Sequence, residues 1–161
     1  MINIQENIFG NAKNDIVTGA LDLLFVKRLG SGSARTVYEL SGGTHVIKLE
    51  HADSYQFMRQ NIIEHSIWND FQYTVEGPKW LAECGSISGN GRALMQEKLE
   101  IFTDINDERL PKRVPRFLTD MKINNWGIDS NGNVKCVDYG LILLMQGNPW
   151  QLRKVNWGYP A

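Results

Sequence analysis

The chain has 161 residues, of which 42% are hydrophobic and 22% are charged, and its formal net charge is −1 at pH 7. A chain of this length buries one hydrophobic core, and its balanced charge argues against a general attraction to nucleic acid or anionic membranes. No apolar run approaches the roughly 20 residues of a membrane span, and the first residues lack a basic stretch followed by an apolar one, so we expect one cytoplasmic domain.

The first half of the sequence predicts a helix, three strands and a second helix, in that order. Apolar residues at helical spacing predict a first helix that ends near Leu24. Short apolar segments separated by turn residues then predict strands, over 25–29, 36–40 and 45–49. Helical spacing returns over 53–71, where Asp53 and Gln56 fit a capping box.

The second half predicts four more strands, arranged as two hairpins. These strands cover residues 80–86, 92–98, 126–129 and 134–137. The polar segment 104–116 contains Pro111 and Pro115 and has room for at most one short helix. Residues 141–145 form an apolar run, and the tail that follows is predicted to be mostly irregular. The pattern as a whole predicts an α+β fold.

The two cysteines and three histidines argue against covalent or metal crosslinks. Cys84 and Cys136 are far apart in strand-like segments, so we expect two buried, reduced thiols. His45, His51 and His65 lack the close Cys or His partners of a zinc site, so no structural metal is expected.

The most specific chemical pattern begins at Asp120. An aspartate and an asparagine five residues apart, Asp120 and Asn125, precede a predicted hairpin and a second aspartate, Asp138, that is close to Gly140. One carboxylate can orient a hydroxyl group, while an amide oxygen and a second carboxylate can hold Mg²⁺. This spacing favours a site that handles phosphate and magnesium.

Three weaker signals lie upstream of this pattern. A Gly-x-Gly turn at Gly30 and Gly32 would let backbone amides approach phosphate oxygens. Lys48 lies in the third predicted strand, and Glu64 is the only acidic residue within 54–69. Each signal also has a plain structural interpretation: a flexible hairpin, a solvent-facing lysine and a charge on a wet helix face.

The order of these parts resembles the protein kinase-like family, over residues 25–141. It runs from the glycine-rich turn, strand lysine and helix glutamate to Asp-x-x-x-x-Asn, a hairpin and Asp-x-Gly. The chain looks like a reduced member, similar to small kinase-like proteins of phages. The resemblance implies a kinase-like fold with a five-stranded antiparallel N-lobe sheet over about 1–98 and a minimal C-lobe over 99–161.

The resemblance also implies ATP and Mg²⁺ as cofactors and a role for each matching residue. Asp120 matches the catalytic aspartate, and Lys122 matches a lysine typical of Ser/Thr protein kinases. Lys48, held by Glu64, would position the α- and β-phosphates. The implied nucleotide contacts are Gly30, Ser31, Gly32, Ser33, Val37, Lys48, Gln96 and Lys98. The implied magnesium ligands are Asn125 and Asp138.

The chain departs from the family pattern at several places. Arg35 stands where the third loop glycine would be, so either the loop closes less tightly or the guanidinium contacts phosphate. Leu118 and Thr119 replace the His-Arg that normally precedes the catalytic aspartate. Only 21 residues follow Gly140, and no Ala-Pro-Glu is among them.

The sequence leaves three functions open. The first is an ATP- and Mg²⁺-dependent phosphotransferase acting on Ser/Thr hydroxyls of a protein, either itself or a partner. The second is a pseudokinase-type module that binds a regulatory partner protein, with Trp150, Trp157 and Tyr159 as candidate contacts. The third is an α+β domain without kinase activity, whose Asp and Asn residues form turns. None of these expects a nucleic-acid or membrane partner.

Overall fold

A computed structural model describes residues 25–51, 59–140 and 148–157. The predicted helix ending near Leu24, the capping box at Asp53 and Gln56, the run 141–145 and Tyr159 lie outside the described residues. The chain divides into two compact units. One comprises Met1–His65 and Cys84–Lys98, and the other Ser66–Glu83 and Leu99–Ala161. Within the described ranges no helix is long and apolar enough to cross a membrane.

The first unit is built on a five-stranded antiparallel sheet. Its strands are β1 (Phe25–Ser31), β2 (Arg35–Leu40), β3 (His45–Glu50), β4 (Cys84–Ile87) and β5 (Ala93–Glu97). Their order in the sheet is β1-β2-β3-β5-β4. The turn from β2 to β3 needs glycine, because Gly42 and Gly43 have φ values of 98° and 71°. The α+β class and this antiparallel sheet are therefore confirmed.

Helix α1 (Gln60–Phe71) contributes residues up to His65 to the first unit and the rest to the second. Arg59 precedes it with a φ of 40°, so the described part of the predicted helix 53–71 begins at residue 60. A carboxylate of β3 satisfies one of the helix's first amides, since Glu50 Oε1 accepts a hydrogen bond from Asn61 N at 2.8 Å.

The strand predicted over 80–86 is partly wrong. Residues Glu76–Trp80 form a short helix, α2, and only Cys84–Ile87 is a strand. The apolar run from Trp80 is buried, and burial alone cannot distinguish a strand from a packed helix end. Gly77 has a packing role here, because a Cβ at this position would meet the Phe71 carbonyl oxygen.

The second unit contains two small antiparallel sheets. One has the order β6-β8-β9, from β6 (Glu100–Ile101), β8 (Trp126–Ile128) and β9 (Val134–Cys136), with a 3₁₀ turn at Ile123–Asn125 before β8. The other pairs β7 (Arg113–Pro115) with β10 (Leu152–Lys154). The hairpin predicted over 126–137 is confirmed. The segment 104–116 contains no helix, and the described part of the tail is mostly irregular, as predicted, apart from the short strand β10.

Aromatic side chains form much of the interior of the second unit. The Trp150 ring makes edge-on contacts with Phe71 and Phe117, at centroid distances of 5.0 and 4.9 Å. The Trp157 ring contacts the fully buried Trp126 in the same manner at 5.5 Å. These contacts show that both tail tryptophans pack against other rings of the second unit, and both remain half-buried.

The two cysteines are buried and free, as the sequence predicted. Cys84 lies on β4 of the first unit, and Cys136 lies on β9 of the second. Buried thiols of this kind act as small apolar side chains.

Candidate functional site

Strand β3 places Lys48 on the buried face of the sheet, beside the buried Val46. Its Nζ donates to Glu64 Oε2 on α1 at 2.8 Å. Glu64 is itself completely buried. The predicted ion pair is therefore present, and the alternative interpretations of a solvent-facing lysine and a wet helix face are excluded.

Arg35 is a second cation on the same carboxylate, which the sequence did not indicate. Its Nη2 donates to Glu64 Oε1 at 2.7 Å, and its Nη1 donates to Asn61 Oδ1 at 3.2 Å. Arg35 is buried at the start of β2. The Arg35 guanidinium is thus directed to α1.

Asn61 joins three segments of the first unit around this cluster, and sequence reasoning missed it. Its Nδ2 donates to the carbonyl oxygens of Lys48 and Arg92, at 3.1 and 2.9 Å. Asn61 is fully buried and lies three residues before Glu64. Residues at this spacing share one helix face, so a second polar residue three positions before Glu64 was the available signal.

The cluster keeps Glu64 ionised. Burial raises the pKa of Glu64, but the charges and hydrogen bonds of Arg35 and Lys48 outweigh burial and lower this pKa from 4.5 to about 2. Because the ionised Glu64 carboxylate binds both the Arg35 guanidinium and the Lys48 ammonium, it restricts the positions of these two cations. The Lys48 ammonium is consequently fixed at one place on β3.

The turn between β1 and β2 carries four of the predicted nucleotide contacts. Gly32 N donates to the Arg35 carbonyl oxygen at 2.8 Å and closes the turn. The Ser31 and Thr36 hydroxyls lie 3.0 Å apart, and the Ser33 carbonyl oxygen lies 3.2 Å from a His51 ring nitrogen. A Cβ added at Gly30 would meet no atom within 4 Å, so the turn is open on that side.

The remaining predicted nucleotide contacts lie within or beside the sheet. Val37 is paired with Gly30 on β1 and with Lys48 on β3. Gln96 is fully buried on β5, and its Oε1 has no hydrogen-bond partner among the described residues. Lys98 Nζ forms an ion pair with Glu39 Oε1 at 2.7 Å, so its charge is directed to β2.

In the second unit, Asp120, Lys122 and Asn125 lie close together. Lys122 Nζ is 3.1 Å from Asp120 Oδ2, and Asn125 Nδ2 donates to the Asp120 carbonyl oxygen at 3.5 Å. The 3₁₀ turn holds this spacing, because Asn125 N donates to the Lys122 carbonyl oxygen at 2.9 Å. The Lys122 side chain is 66% exposed against 19% for Asp120, so its ammonium remains accessible.

Asp138 lies at the same end of the β8–β9 hairpin as Asn125. The hairpin pairs Trp126 with Cys136, and just beyond this pair Val137 N donates to the Asn125 carbonyl oxygen at 2.8 Å. Asp138 is the next residue, and Tyr139 anchors the segment by donating its hydroxyl to the Ala82 carbonyl oxygen at 2.6 Å. One of the two predicted magnesium ligands, Asn125, is thus bonded through its backbone to the residue that precedes the other.

One amide and one carboxylate form a donor set that suits Mg²⁺. Magnesium takes oxygen ligands and keeps several waters, so one or two protein oxygens with phosphate oxygens satisfy it. No group of three or more His, Cys, Asp or Glu side chains among the described residues could hold a metal ion. Asn125 and Asp138 each offer an oxygen ligand of the type that Mg²⁺ takes.

The turn between β8 and β9, at the other end of the hairpin, has a structural role. Asp129 Oδ1 accepts hydrogen bonds from the backbone amides of Asn131 and Asn133, and Asp129 Oδ2 lies 3.2 Å from Lys135 Nζ. Burial raises the pKa of Asp129, but these hydrogen bonds outweigh burial and lower it to about 2. The interpretation of Asp and Asn as turn residues is therefore correct at this turn.

No protein-family model matches the chain, and a search of curated proteins found no match. The functional proposal consequently depends on the geometry within each unit.

Proposed function

We propose that the protein is an ATP- and Mg²⁺-dependent phosphotransferase with a kinase-like fold, acting on Ser or Thr hydroxyls of a protein. The buried ion pair of Lys48 and Glu64, at 2.8 Å, is the observation that carries the proposal. Replacing a buried ion pair with apolar residues is often neutral or stabilising. The presence of this pair in the first unit is therefore better explained by function than by stability.

The position of the pair within the first unit supports the same conclusion. The glycine turn joins β1 to β2, the lysine lies on the central strand β3, and the glutamate lies on the helix that follows β3. A protein kinase has these parts in this order. If Lys48 had faced solvent, or if Glu64 had been distant from it, the first unit would lack this similarity to a protein kinase.

The residues of each unit would have distinct tasks. Lys48, held by Glu64, would bind phosphate oxygens, and the open side of the turn at Gly30 would admit them. Asn125 and Asp138 would hold Mg²⁺, which supplies positive charge to the phosphate oxygens when it is bound. Asp120 would orient the acceptor hydroxyl and take its proton.

Transfer would form a bond between the acceptor oxygen and the γ-phosphorus and break the bond from that phosphorus to the bridging oxygen of ADP. The exposed Lys122 ammonium would stabilise negative charge on the transferred group. Positioning and electrostatic stabilisation account for most of the catalysis in such a reaction.

The decisive experiment follows radiolabelled phosphate from γ-labelled ATP to protein, with purified wild type at high enzyme and Mg²⁺ concentrations. We expect Asp120→Asn and Lys48→Met to lower transfer by about 100-fold or more. Asp70→Asn, at an exposed position of α1, is the matched control and should leave transfer unchanged. Absence of any transfer by wild type would reject the proposal.

A pseudokinase-type binding module is the second candidate, and the Arg35–Glu64 contact favours it. Arg35 takes the carboxylate oxygen that is not bound by Lys48, so Glu64 is shared between two cations. A chain that serves only to bind a partner would keep its biological activity in Asp120→Ala. A phosphotransferase would lose it.

A further inference from the structure

Five cations lie on and beside the β7–β10 sheet: Lys112, Arg113, Arg116, Arg153 and Lys154. We call this cluster the basic ribbon. Residues 110–118 and 148–157 contain no aspartate or glutamate. Among the described residues, none of the five cations forms an ion pair with a carboxylate. Positive charge is thus concentrated here on a chain whose net charge is −1.

Two of these cations face each other directly across the two strands. Arg113 is the register partner of Lys154, and both are exposed. Side chains directly opposite in an antiparallel pair have their Cβ atoms about 5 Å apart, and like charges at this distance destabilise the sheet. An anion placed between Arg113 and Lys154 would relieve this repulsion.

The basic ribbon is attached to the segment that carries Asp120. Arg153 Nη2 donates to the Leu118 carbonyl oxygen at 2.8 Å, two residues before Asp120. Arg116 precedes Asp120 by four residues, so their Cα atoms are at most about 14 Å apart even in an extended chain. A ligand on the ribbon therefore binds near the proposed catalytic carboxylate of the same unit.

The surface suits a peptide better than a nucleic acid. Leu152 is 38% exposed and lies two residues before Lys154, on the same face of β10. Three-residue strands extend only about 10 Å, whereas tight nucleic-acid binding uses several phosphate contacts. Trp150 and Trp157 pack edge-on against other rings and offer no stacking platform for bases.

We propose that the basic ribbon docks an acidic segment of the protein substrate, with an apolar residue of that segment against Leu152. Docking would bring a neighbouring Ser or Thr hydroxyl toward Asp120. This inference rests on the proposed phosphotransferase function and names the acceptor as a Ser or Thr flanked by Asp or Glu residues.

The experiment measures binding without nucleotide, so that it does not depend on catalysis. The probe is a fluorescent peptide with a run of glutamates, one leucine and one serine, and its matched control has glutamine at every glutamate. We expect the glutamate peptide to bind wild type about tenfold more tightly than the glutamine peptide, and Lys154→Glu to remove this difference. Lys27→Glu, an exposed change in the first unit, should preserve the difference.

Lys154→Glu is suitable because it places a carboxylate opposite Arg113 and should not lower the melting temperature. Loss of peptide binding in this variant is therefore not a sign of unfolding. In the active protein, Lys154→Glu should raise KM for the glutamate peptide about tenfold and leave kcat nearly unchanged.

The outcomes separate the two proposals. If the glutamate peptide binds but no phosphate is transferred, the proposed reaction fails and the docking surface stands. Equal binding of both peptides, or unchanged binding in Lys154→Glu, overturns the docking surface. It is also overturned if a short single-stranded oligonucleotide binds more tightly than the glutamate peptide and Lys154→Glu abolishes that binding.

Discussion

The Lys48 ammonium and the Glu64 carboxylate meet at 2.8 Å with only 5% and 0% of their side chains exposed. Two charges this far from water are stable only when each is matched by the other and by further hydrogen bonds. Arg35 donates a further hydrogen bond to the Glu64 carboxylate, and Asn61 in turn binds the Arg35 guanidinium and the Lys48 carbonyl oxygen. The pair and its supports therefore behave as one cluster, and changes to any member have measurable consequences.

Removing the carboxylate from this cluster should be strongly destabilising. Glu64→Gln leaves Arg35 and Lys48 buried without their shared anion, so we expect the free energy of unfolding to fall by about 3–5 kcal/mol. Urea unfolding at neutral pH measures the change. Glu108→Gln, at an exposed position, is the control and should alter stability by less than about 0.5 kcal/mol. A loss below about 1 kcal/mol in Glu64→Gln would contradict the buried arrangement.

The same carboxylate should make stability depend on acid pH. The folded-state pKa of Glu64 is about 2, below its ordinary value of 4.5, so between these values the unfolded chain binds the additional proton. The stabilisation by Glu64 is complete above about pH 4.5 and decreases as pH falls toward 2. Unfolding free energies measured from pH 6 to pH 2 should fall more steeply for wild type than for Glu64→Gln. Parallel curves would show that Glu64 is not responsible.

Asn61 should be important for stability although it carries no charge. Asn61→Ala removes the donor to two backbone carbonyl oxygens and the acceptor for Arg35, which leaves buried polar groups unsatisfied. We expect a loss of about 1–3 kcal/mol in unfolding free energy. Asn69→Ala tests the same substitution at an exposed position of the same helix and should cost much less. Because alanine has a higher helix propensity than asparagine, propensity would stabilise both variants, so similar losses in both would contradict a special role for the Asn61 hydrogen bonds.

Mg²⁺-ATP should stabilise the protein, and the metal-dependent part should require Asp138. At a hundredfold excess over its dissociation constant, the ligand should add about 2.7 kcal/mol to the unfolding free energy. Thermal unfolding is measured with ATP in the presence of Mg²⁺ and again with ATP and EDTA. The difference between the two gives the stabilisation that depends on the metal. Asp138→Asn should lose that part, whereas Asp104→Asn at an exposed position should keep it. An equal effect of Mg²⁺ on both variants would exclude Asp138 as a ligand.

Repulsion within the basic ribbon predicts a substitution that increases stability. Lys154→Glu replaces a like-charge pair with Arg113 by an opposite-charge pair, so the unfolding free energy should rise by about 0.2–1 kcal/mol at low salt. The increase should shrink as ionic strength rises, because both side chains are exposed. Lys112→Glu is the control, because Lys112 is exposed and lies outside the ladder pairs, and its carbonyl oxygen accepts a hydrogen bond from the backbone amide of the apolar residue Val155. A decrease in stability for Lys154→Glu would contradict the pairing.

Local patterns in the sequence were sufficient to predict those elements whose contacting residues are near one another in the sequence. Glycine turns with positive φ separate β2 from β3 and β8 from β9, and strand spacing identified the segments on both sides. The hairpin predicted after Asn125 also accounts for the hydrogen bond between Asn125 and Val137, the residue before Asp138. Each of these features depends on residues within about 20 positions, where turn chemistry and periodicity operate.

The sequence by itself indicated the strand segments and the order of the chemical residues, and the resemblance implied the antiparallel sheet and the pairing of Lys48 with Glu64. Only the tertiary structure decided that Arg35 also binds Glu64, 29 residues away, and that Arg153 binds the Leu118 carbonyl oxygen, 35 residues away. The tertiary structure also decided that residues 152–154 pair with β7, because a segment of three residues is too short to show a periodic pattern. Contacts over such separations form because packing brings distant segments together, and no local pattern encodes which buried partner a side chain will meet.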